Sequence, residues 1–276
     1  QVVIVFNGEI YNYLELRAQL EKEGEVFHGE SDTEVLLRYY LRHGRDSKNI
    51  GTFLNLLNGI FAFALWDGVL GEMLIARDAF GVKPLYISES SNYLAFSSEI
   101  KALTPLIDQP LELDFVSLDG YLTNLWCPGE GTPVSNIKKL GPGEALWVRN
   151  GKIRDRLRWY KLPALRNLIE GKSLSEKEMI SGTASHLRGA VHRQMVADVP
   201  VGAFLSGGLD SSAVVSFARE LNPNIHCFTI EQTGRVEDGI TDDLPYARLV
   251  ADHLNVPLDV ISIDSTNMAD DLVAMV

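Results

Sequence analysis

The 276 residues are 46% hydrophobic and 22% charged, which is a globular composition with room for about two domains. The formal net charge of −12 argues against nucleic acid or an anionic membrane as a partner, and no apolar run approaches the roughly 20 residues that span a bilayer. Two cysteines, Cys127 and Cys227, are too few for a disulfide framework or a zinc site, so a reducing, cytoplasmic location is expected.

The first half of the chain combines strand patterns with helix patterns. An apolar strand is predicted from Gln1 to Gly8, ending at Asn7-Gly8, and a helix from Tyr13 to Lys22. Ser31 and Glu34 have the spacing of a capping box at the start of a second helix. The remaining strands are predicted in apolar runs bounded by turn residues: GIFAFALW from Gly59, MLIAR from Met73, YLAFS from Tyr93, and EALWV and KI around the Asn150-Gly151 turn. This order predicts an α+β layered domain up to about Trp159.

The pattern changes after residues 161–177, a charged and loosely periodic stretch that is interpreted as a linker. A helix with an apolar stripe leads into strand VGAFL, a glycine turn and another helix, and then strand IHCFTI, a helix and strand LDVISI follow. Alternating strands and helices predict a parallel sheet with right-handed crossovers. Only about three strands fit into residues 178–276, so we expect a partial domain and a chain that belongs to a longer protein.

The glycine turn, SGGLDSS from Ser206 to Ser212, carries the strongest chemical signal. Gly207 and Gly208 permit a sharp bend and a close approach to a ligand, and the N–H groups at the helix start favour phosphate oxygens. Asp210 beside a phosphate would be repelled unless a cation lay between them, and Mg²⁺ binds carboxylate and phosphate oxygens together. The alternative interpretation is a structural helix start with serine caps.

A second candidate site lies between Asn7 and Asp32. The Asn7 amide and the Gly8 N–H, placed together at a strand end, could supply two donors to the oxyanion of a tetrahedral acyl intermediate. Glu9 and Asp32 are candidate carboxylate partners for an α-amino group. Taken singly, Asn7-Gly8 is also typical of an ordinary turn, and Asp32 of a helix N-cap.

Several segments resemble known families. SGGLDSS resembles the pyrophosphate loop of the N-type ATP pyrophosphatases, and NGEIYNY from Asn7 resembles the glutamine-binding segment of class II glutamine amidotransferases. ARDAFGVKPLY from Ala76 and FSSEIKAL from Phe96 are similar to segments of the asparagine synthetase branch. In this order the motifs resemble the glutamine-hydrolysing asparagine synthetase family.

The resemblance implies a fold of two parts. Residues 1–160 would form an N-terminal-nucleophile-hydrolase-like layered α/β sandwich, the class II glutamine amidotransferase domain. After the linker, residues 178–276 would form part of a parallel-sheet ATP pyrophosphatase domain, which is adenine nucleotide α-hydrolase-like. The fold class expected is therefore α/β together with α+β.

The implied activity is ATP-dependent synthesis of asparagine from aspartate through a β-aspartyl-adenylate, with ammonia from glutamine hydrolysis and with ATP and Mg²⁺ bound. Asn7 and Gly8 would serve the oxyanion, Asn7, Glu9 and Asp32 would bind glutamine, and Asp210 would bind Mg²⁺. Leu205 and Ile230, at two neighbouring strand ends, would flank the adenine. ATP would contact these two residues and the loop between them in sequence: Leu205, Ser206, Gly207, Gly208, Leu209, Asp210, Ser211, Ser212 and Ile230. Whether the protein forms a homodimer is left open.

The family's nucleophile is a cysteine at the first position of the mature chain. Neither Cys127 nor Cys227 has the free N-terminal amine that activates it, so both are rejected and the chain alone is expected to be inactive. Two further hypotheses are kept: a related amide-forming ligase, such as a β-lactam synthetase or a lasso-peptide cyclase, and a non-catalytic remnant that binds a partner or ligand. Arg77, Asp78 and Lys83 are interpreted as scaffold, and the roles of Ser98, Glu99 and Lys101 are left open. Asp242, Asp243 and Tyr246 resemble an acidic segment of the family, but Asp243 with Pro245 is interpreted as a helix start.

Overall fold

A computed structural model describes residues 1–46, 48–163, 174–233 and 243–264. The chain divides into two compact units, Gln1–Ile169 and Glu170–Val276, and their boundary lies within the range interpreted as a linker. In the described ranges no helix combines the length and the apolar character needed to cross a membrane. Asp242 lies outside the described residues.

The first unit is built on a five-stranded antiparallel sheet. In sheet order its strands are β1 (Val2–Ile10), β2 (Gly59–Asp67), β3 (Glu72–Arg77), β7 (Glu144–Arg149) and β8 (Lys152–Arg158). A smaller antiparallel sheet has the order β5 (Leu94–Ser97), β4 (Tyr86–Glu89) and β6 (Lys138–Lys139). The helices are α1 (Tyr13–Lys22), α2 (Asp32–Tyr39), α3 (Ile50–Leu56), α4 (Ile100–Leu103) and α5 (Phe115–Asn124), with a π-helical turn at Tyr40–Gly44 and a 3₁₀ turn at Thr104–Leu106.

Alternation along β2 explains the layering of this unit. Phe61, Phe63 and Leu65 pack with residues of α1, α2 and α3 in one apolar core. Ala62 and Ala64, on the opposite face, pack with residues of β3, β4 and β7 in a second core. Burial of one large apolar side chain contributes roughly 1.5–3 kcal/mol, so both faces of the sheet are stabilised. The result is the predicted layered α/β arrangement: helices, a sheet and a second sheet.

Strand β1 is longer than predicted. It pairs with β2 through Ile10, which lies opposite Gly59, so Asn7 and Gly8 lie inside the strand and not at its end. Gly8 has a φ of +152°, and a β-carbon there would stand 2.1 Å from the Ile60 carbonyl oxygen. Only glycine fits this position, and the Asn7-Gly8 pair therefore marks an irregularity within the strand and not a turn.

The prediction of a capping box at the start of α2 is confirmed for Ser31 and wrong for Glu34. Ser31 is the N-cap and its side chain accepts from the Glu34 N–H, but the Glu34 carboxylate does not return to Ser31. It accepts instead from the backbone N–H groups of His28 and Gly29, and it pairs with Arg38 at 2.8 Å. The His28 hydrogen bond, with the contributions of Arg38 and Gly29, lowers the pKa of Glu34 to about 2. Glu34 therefore clamps the loop that precedes the helix.

The second unit contains a parallel sheet in the order β9-β10-β11. Its elements are α6 (Glu176–Gln194), β9 (Gly202–Phe204), α7 (Leu209–Leu221), β10 (His226–Thr233), α8 (Leu244–Leu254) and β11 (Leu258–Asp264). The strands and the helix starting at Asp243-Leu244-Pro245 confirm the sequence-based assignments, whereas α6 begins inside the range interpreted as a linker, at a complete capping box of Ser175 and Glu178. Helices α3, α4 and α5 and strands β4 and β6 were not predicted.

One face of this parallel sheet carries the core of the unit. Val215, Cys227 and Ala247 are fully buried between the sheet and its helices. The alternate residues face the other way, and Phe204 is 75% exposed while Ile230 is 48% exposed. Strand alternation therefore separates a buried face from an open face in β9 and β10.

Candidate functional site

The backbone N–H of Gly8 points to the free edge of the five-stranded sheet. Gly8 lies opposite Phe61, whose own N–H and carbonyl are both used by Asp78 on the β3 side. Gly8 and Phe61 are thus a non-hydrogen-bonded pair, and the Gly8 N–H faces away from β2. The N–H of Ile10, two residues on, has the same direction and donates to Asp32. A hydrogen-bond donor is therefore available at the edge of β1.

Asp32 comes to this edge from the start of α2. Its Oδ2 accepts from the Ile10 N–H at 2.9 Å, and its Oδ1 accepts from the Thr33 hydroxyl at 3.2 Å. The N-cap of α2 is Ser31, so the interpretation of Asp32 as the N-cap was wrong. Gly8 and Ile10 are about 7 Å apart along an extended strand, which places a carboxylate near the outward N–H of Gly8.

Glu9 lies between these two residues and is exposed. Burial raises the pKa of Tyr11, and the charge of Glu9 raises it further, so the Glu9 carboxylate lies near that phenol. The resemblance assigns Asn7, Glu9 and Asp32 to glutamine and Gly8 to the oxyanion. Three of these residues lie on one stretch of β1, and Asp32 reaches that stretch through its contact with Ile10. Their roles stay predictions.

The side chain of Asn7 lies on a face of the sheet and lines a cavity of about 370 Å³. Its Nδ2 donates to the Ser98 hydroxyl at 2.9 Å. The cavity is lined mostly by apolar side chains, and its polar lining comes from Asn7, Ser97 and Ser98. The sequence did not decide whether Ser98 has a functional role. The only signal for one was its position directly after the strand pattern of β5.

The segment SGGLDSS forms the predicted bend. It follows β9 at the carboxyl end of the parallel sheet, and Gly208 is the N-cap of α7 without a side-chain hydrogen bond to the helix. Gly208, Leu209 and Asp210 are exposed, so among the residues that the structure describes no packed side chains cover this helix start. Exposed N–H groups at a helix N-terminus favour an anion.

Serine hydroxyls organise this loop internally. Ser206 Oγ lies 3.0 Å from Ser211 Oγ and accepts from the Gly208 N–H at 3.3 Å. Ser212 Oγ donates to the Gly208 carbonyl at 2.6 Å. In this arrangement the hydroxyls support the bend, and each would have to exchange a partner to contact a phosphate.

Gly207 has a packing role in addition to its turn. Its φ is +78°, and a β-carbon would stand 2.3 Å from the Tyr246 carbonyl carbon and 2.5 Å from the Ala247 nitrogen. We expected this glycine to allow the close approach of a ligand. In the structure it allows the close approach of the backbone of α8. Gly208, with a φ of −69°, is the glycine at the exposed helix start.

The two residues expected to flank an adenine differ in orientation. Leu205 is 1% exposed, and its side chain belongs to the core of the unit. Ile230 is 48% exposed on the open face of the sheet. The side chains therefore lie on opposite sides, and a ligand at this edge would meet the backbone of Leu205 and the side chain of Ile230.

Asp210 fits a magnesium ion only together with a ligand. The described ranges contain no group of three or more His, Cys, Asp or Glu side chains that could hold a metal ion. Mg²⁺ usually binds one or two carboxylates and completes its coordination with substrate phosphates and water. An exposed carboxylate in the first turn of α7 suits that requirement.

Arg77 and Asp78 are scaffold residues, as interpreted from the sequence. The Asp78 carboxylate is 1% exposed and accepts from the N–H groups of Phe61, Phe80, Val82 and Lys83. Arg77 donates to the carbonyls of Lys83, Leu140 and Gly81. Cys127 and Cys227 are buried, and their thiols donate to backbone carbonyls.

Comparison with protein families defines the class. The family model described as glutamine amidotransferase domain matches residues 1–160, which is more than half of the chain. The chain therefore belongs to the glutamine amidotransferase domain family. A second model, described as asparagine synthase, matches residues 182–276.

Several curated relatives are named as glutamine-hydrolysing asparagine synthetases, which confirms the resemblance seen in the motifs. The chain is 37% identical over 234 residues to asparagine synthetase 1 of Bacillus subtilis, covering 84% of this chain and 35% of that protein. It is 32% identical over 266 residues to synthetase 2 of the same organism, covering 93% and 34%. The chain thus spans about a third of the length of these relatives.

Among solved structures, the chain is similar to the glutamine phosphoribosylpyrophosphate amidotransferase of B. subtilis. The identity is 18%, the TM-score is 0.44, and the match covers 94% of this chain and 45% of that one. A likeness at this level supports no conclusion about the site.

Proposed function

We propose that this chain is part of an enzyme that makes asparagine from aspartate, with ammonia released from glutamine. Aspartate, ATP, glutamine and water are converted to asparagine, AMP, pyrophosphate and glutamate. Residues 1–160 form the glutamine-hydrolysing part and residues 178–276 part of the synthetase. The observation that carries the proposal is the order of the two family matches, each containing a candidate site of the corresponding chemistry.

In the first part, the family's cysteine nucleophile, which is neither Cys127 nor Cys227, attacks the glutamine side-chain amide, and negative charge develops on the carbonyl oxygen of that amide. Ammonia leaves as a thioester forms, and water then hydrolyses the thioester to release glutamate. The outward N–H of Gly8 and the amide of Asn7 are the donors for this oxyanion. Asp32 and Glu9 bind the α-amino group of glutamine through charge-assisted hydrogen bonds. The Asp32 contact to Ile10 supports this geometry, because it holds one carboxylate oxygen at the edge that carries the Gly8 N–H.

In the second part, the aspartate β-carboxylate attacks the α-phosphorus of ATP. A β-aspartyl-adenylate forms, pyrophosphate leaves, and ammonia then displaces AMP. The exposed N–H groups at the start of α7 and the hydroxyls of Ser206, Ser211 and Ser212 bind the pyrophosphate oxygens. Asp210 would hold Mg²⁺, which supplies positive charge against the phosphates. Leu205 and Ile230 contact the adenine, the first through its backbone.

The test uses the complete gene product that carries this chain. Asp210→Ala should abolish aspartate-dependent release of pyrophosphate, because the phosphates lose their metal-binding carboxylate, while hydrolysis of glutamine to glutamate continues. Asp198→Ala, which removes an exposed carboxylate from the segment before β9, serves as the matched control. Retained pyrophosphate release by Asp210→Ala would contradict this role. If pyrophosphate release required an acceptor other than aspartate, asparagine would not be the product.

A further inference from the structure

The hydroxyl of Ser98 lies against the amide that is proposed to bind the oxyanion. Asn7 Nδ2 donates to Ser98 Oγ at 2.9 Å, although the two residues are 91 positions apart. Ser98 directly follows β5 of the smaller sheet, whereas Asn7 lies within β1 of the larger sheet. The contact therefore ties the side chain of Asn7 to an element of the second layer.

The Asn7 amide has a second N–H beside the one that Ser98 accepts, and the side chain lines the cavity. A side-chain amide carries two N–H donors, and Ser98 accepts from one of them. Within the described ranges no other acceptor is found for this amide, and its side chain lines the 370 Å³ cavity. A group that enters the cavity can thus receive the second N–H.

We propose that Ser98 is a positioning residue for glutamine hydrolysis, which holds the Asn7 amide with its second N–H directed at the oxyanion. The inference rests on the proposed function, in which Asn7 is an oxyanion donor. The last torsion of an asparagine side chain has a broad, roughly two-fold preference. Without a partner the amide can rotate and present its carbonyl oxygen, which repels an oxyanion. The donor works best when its direction is fixed before the reaction.

A neighbouring serine provides a matched control. Ser90 lies in the turn between β4 and β5, and its hydroxyl accepts from the backbone N–H groups of Asn92 and Tyr93. Ser90→Ala removes a hydroxyl from the same sheet without touching Asn7. Ser98→Thr keeps the hydroxyl, and Ser98→Val has nearly the same shape without it.

The experiment measures kcat and KM for glutamine hydrolysis by the complete gene product. Ser98→Ala and Ser98→Val should lower kcat about tenfold, the equivalent of one lost hydrogen bond. KM should change by less than about twofold, because the lost interaction acts in the transition state. Ser98→Thr should recover most of the activity, and Ser90→Ala should match the wild type. If Ser98→Ala fails to fold, the comparison of Ser98→Thr with Ser98→Val tests whether the hydroxyl is required.

A double-mutant cycle separates positioning from other roles. In the Asn7→Ala background, Ser98→Ala should cause no further loss, since Ser98 acts through Asn7. Two results would overturn the role of Ser98 while leaving that of Asn7 intact. One is a double variant whose kcat falls by the product of the two single losses. The other is a Ser98→Val variant with unchanged kcat when Asn7→Ala is inactive. Full glutaminase activity of Asn7→Ala would overturn the oxyanion role of Asn7, and the inference with it.

Discussion

Gly207 packs directly against the main chain of Tyr246, where a β-carbon would come within 2.3 Å of the carbonyl carbon. The two glycines of SGGLDSS thus have different structural roles: Gly207 lets α8 approach the bend, and Gly208 is the N-cap of α7. A motif glycine can be required by the protein's own packing even where it borders a ligand site.

Replacement of Gly207 by alanine should destabilise the second unit by more than about 2 kcal/mol, because the added carbon meets backbone at a strained positive φ. Thermal unfolding of the chain measures the effect. The matched control is Gly182→Ala within α6, where the added carbon meets nothing within 4 Å beyond the adjacent backbone of its own helix. There alanine should stabilise the helix by roughly 0.5–1 kcal/mol. Equal unfolding midpoints for the two variants would contradict the packing role.

Leu205 and Ile230 should give opposite phenotypes. Leu205→Ala empties a buried core position and should cost about 2–5 kcal/mol of unfolding free energy. Ile230→Ala alters a half-exposed side chain and should leave stability within about 1 kcal/mol. If Ile230 contacts adenine, its variant should bind ATP with Mg²⁺ several-fold more weakly in isothermal titration. Unchanged ATP affinity of the folded Ile230→Ala variant would exclude that contact.

The lowered pKa of Glu34 predicts that the folded chain loses stability in acid. Its pKa is about 2 in the folded chain against an ordinary value of 4.5, so the folded state binds a proton less readily than the unfolded state. The stabilisation is fully present above pH 4.5 and is lost as the pH falls from 4.5 toward 2. Urea unfolding of the wild type and of Glu34→Gln, at pH 6 and at pH 3.5, measures it.

Glu34→Gln should be less stable than the wild type at pH 6, and the difference should shrink at pH 3.5. Glu15→Gln, at an exposed position of α1, is the control and should leave the pH dependence unchanged. A constant difference between wild type and Glu34→Gln at both pH values would be evidence against the clamp.

Asp78 should matter for folding and not for chemistry. Asp78→Ala leaves four backbone N–H groups without their acceptor and should cost more than about 3 kcal/mol. Asp108→Ala, an exposed aspartate beyond the 3₁₀ turn, should have little effect. The unfolding free energies of the two variants provide the measurement, and near-wild-type stability of Asp78→Ala would refute the scaffold role.

The sequence predicted the layers and the parallel strands because strand alternation and helical spacing are local signals. Phe61 and Ala62 point to opposite cores, as the period of two requires. In VGAFL the alternation places Phe204 and Leu205 on opposite faces, but all five residues are apolar, so the pattern could not show that Leu205 faces the core. The extension of β1 to Ile10 was not predictable locally, since it depends on pairing with Gly59 and on the Asp32 carboxylate.

The contacts that complete the candidate sites are long-range. Asn7 meets Ser98 across 91 residues, and Gly207 meets Tyr246 through the packing of α8 against the bend. Helix α5 was missed because its residues are mixed in character and none of them is buried. Motifs identified the residue types, whereas tertiary packing decided which atoms meet.

The Asp32 carboxylate also determines what else can pair with this sheet. Along the free edge of β1, the outward N–H of Ile10 is already occupied. Any strand that adds to this edge, from this molecule or from a neighbour, can form its ladder only with the residues before Ile10. The Asp32 carboxylate therefore shortens the part of this edge that is open to pairing with another strand.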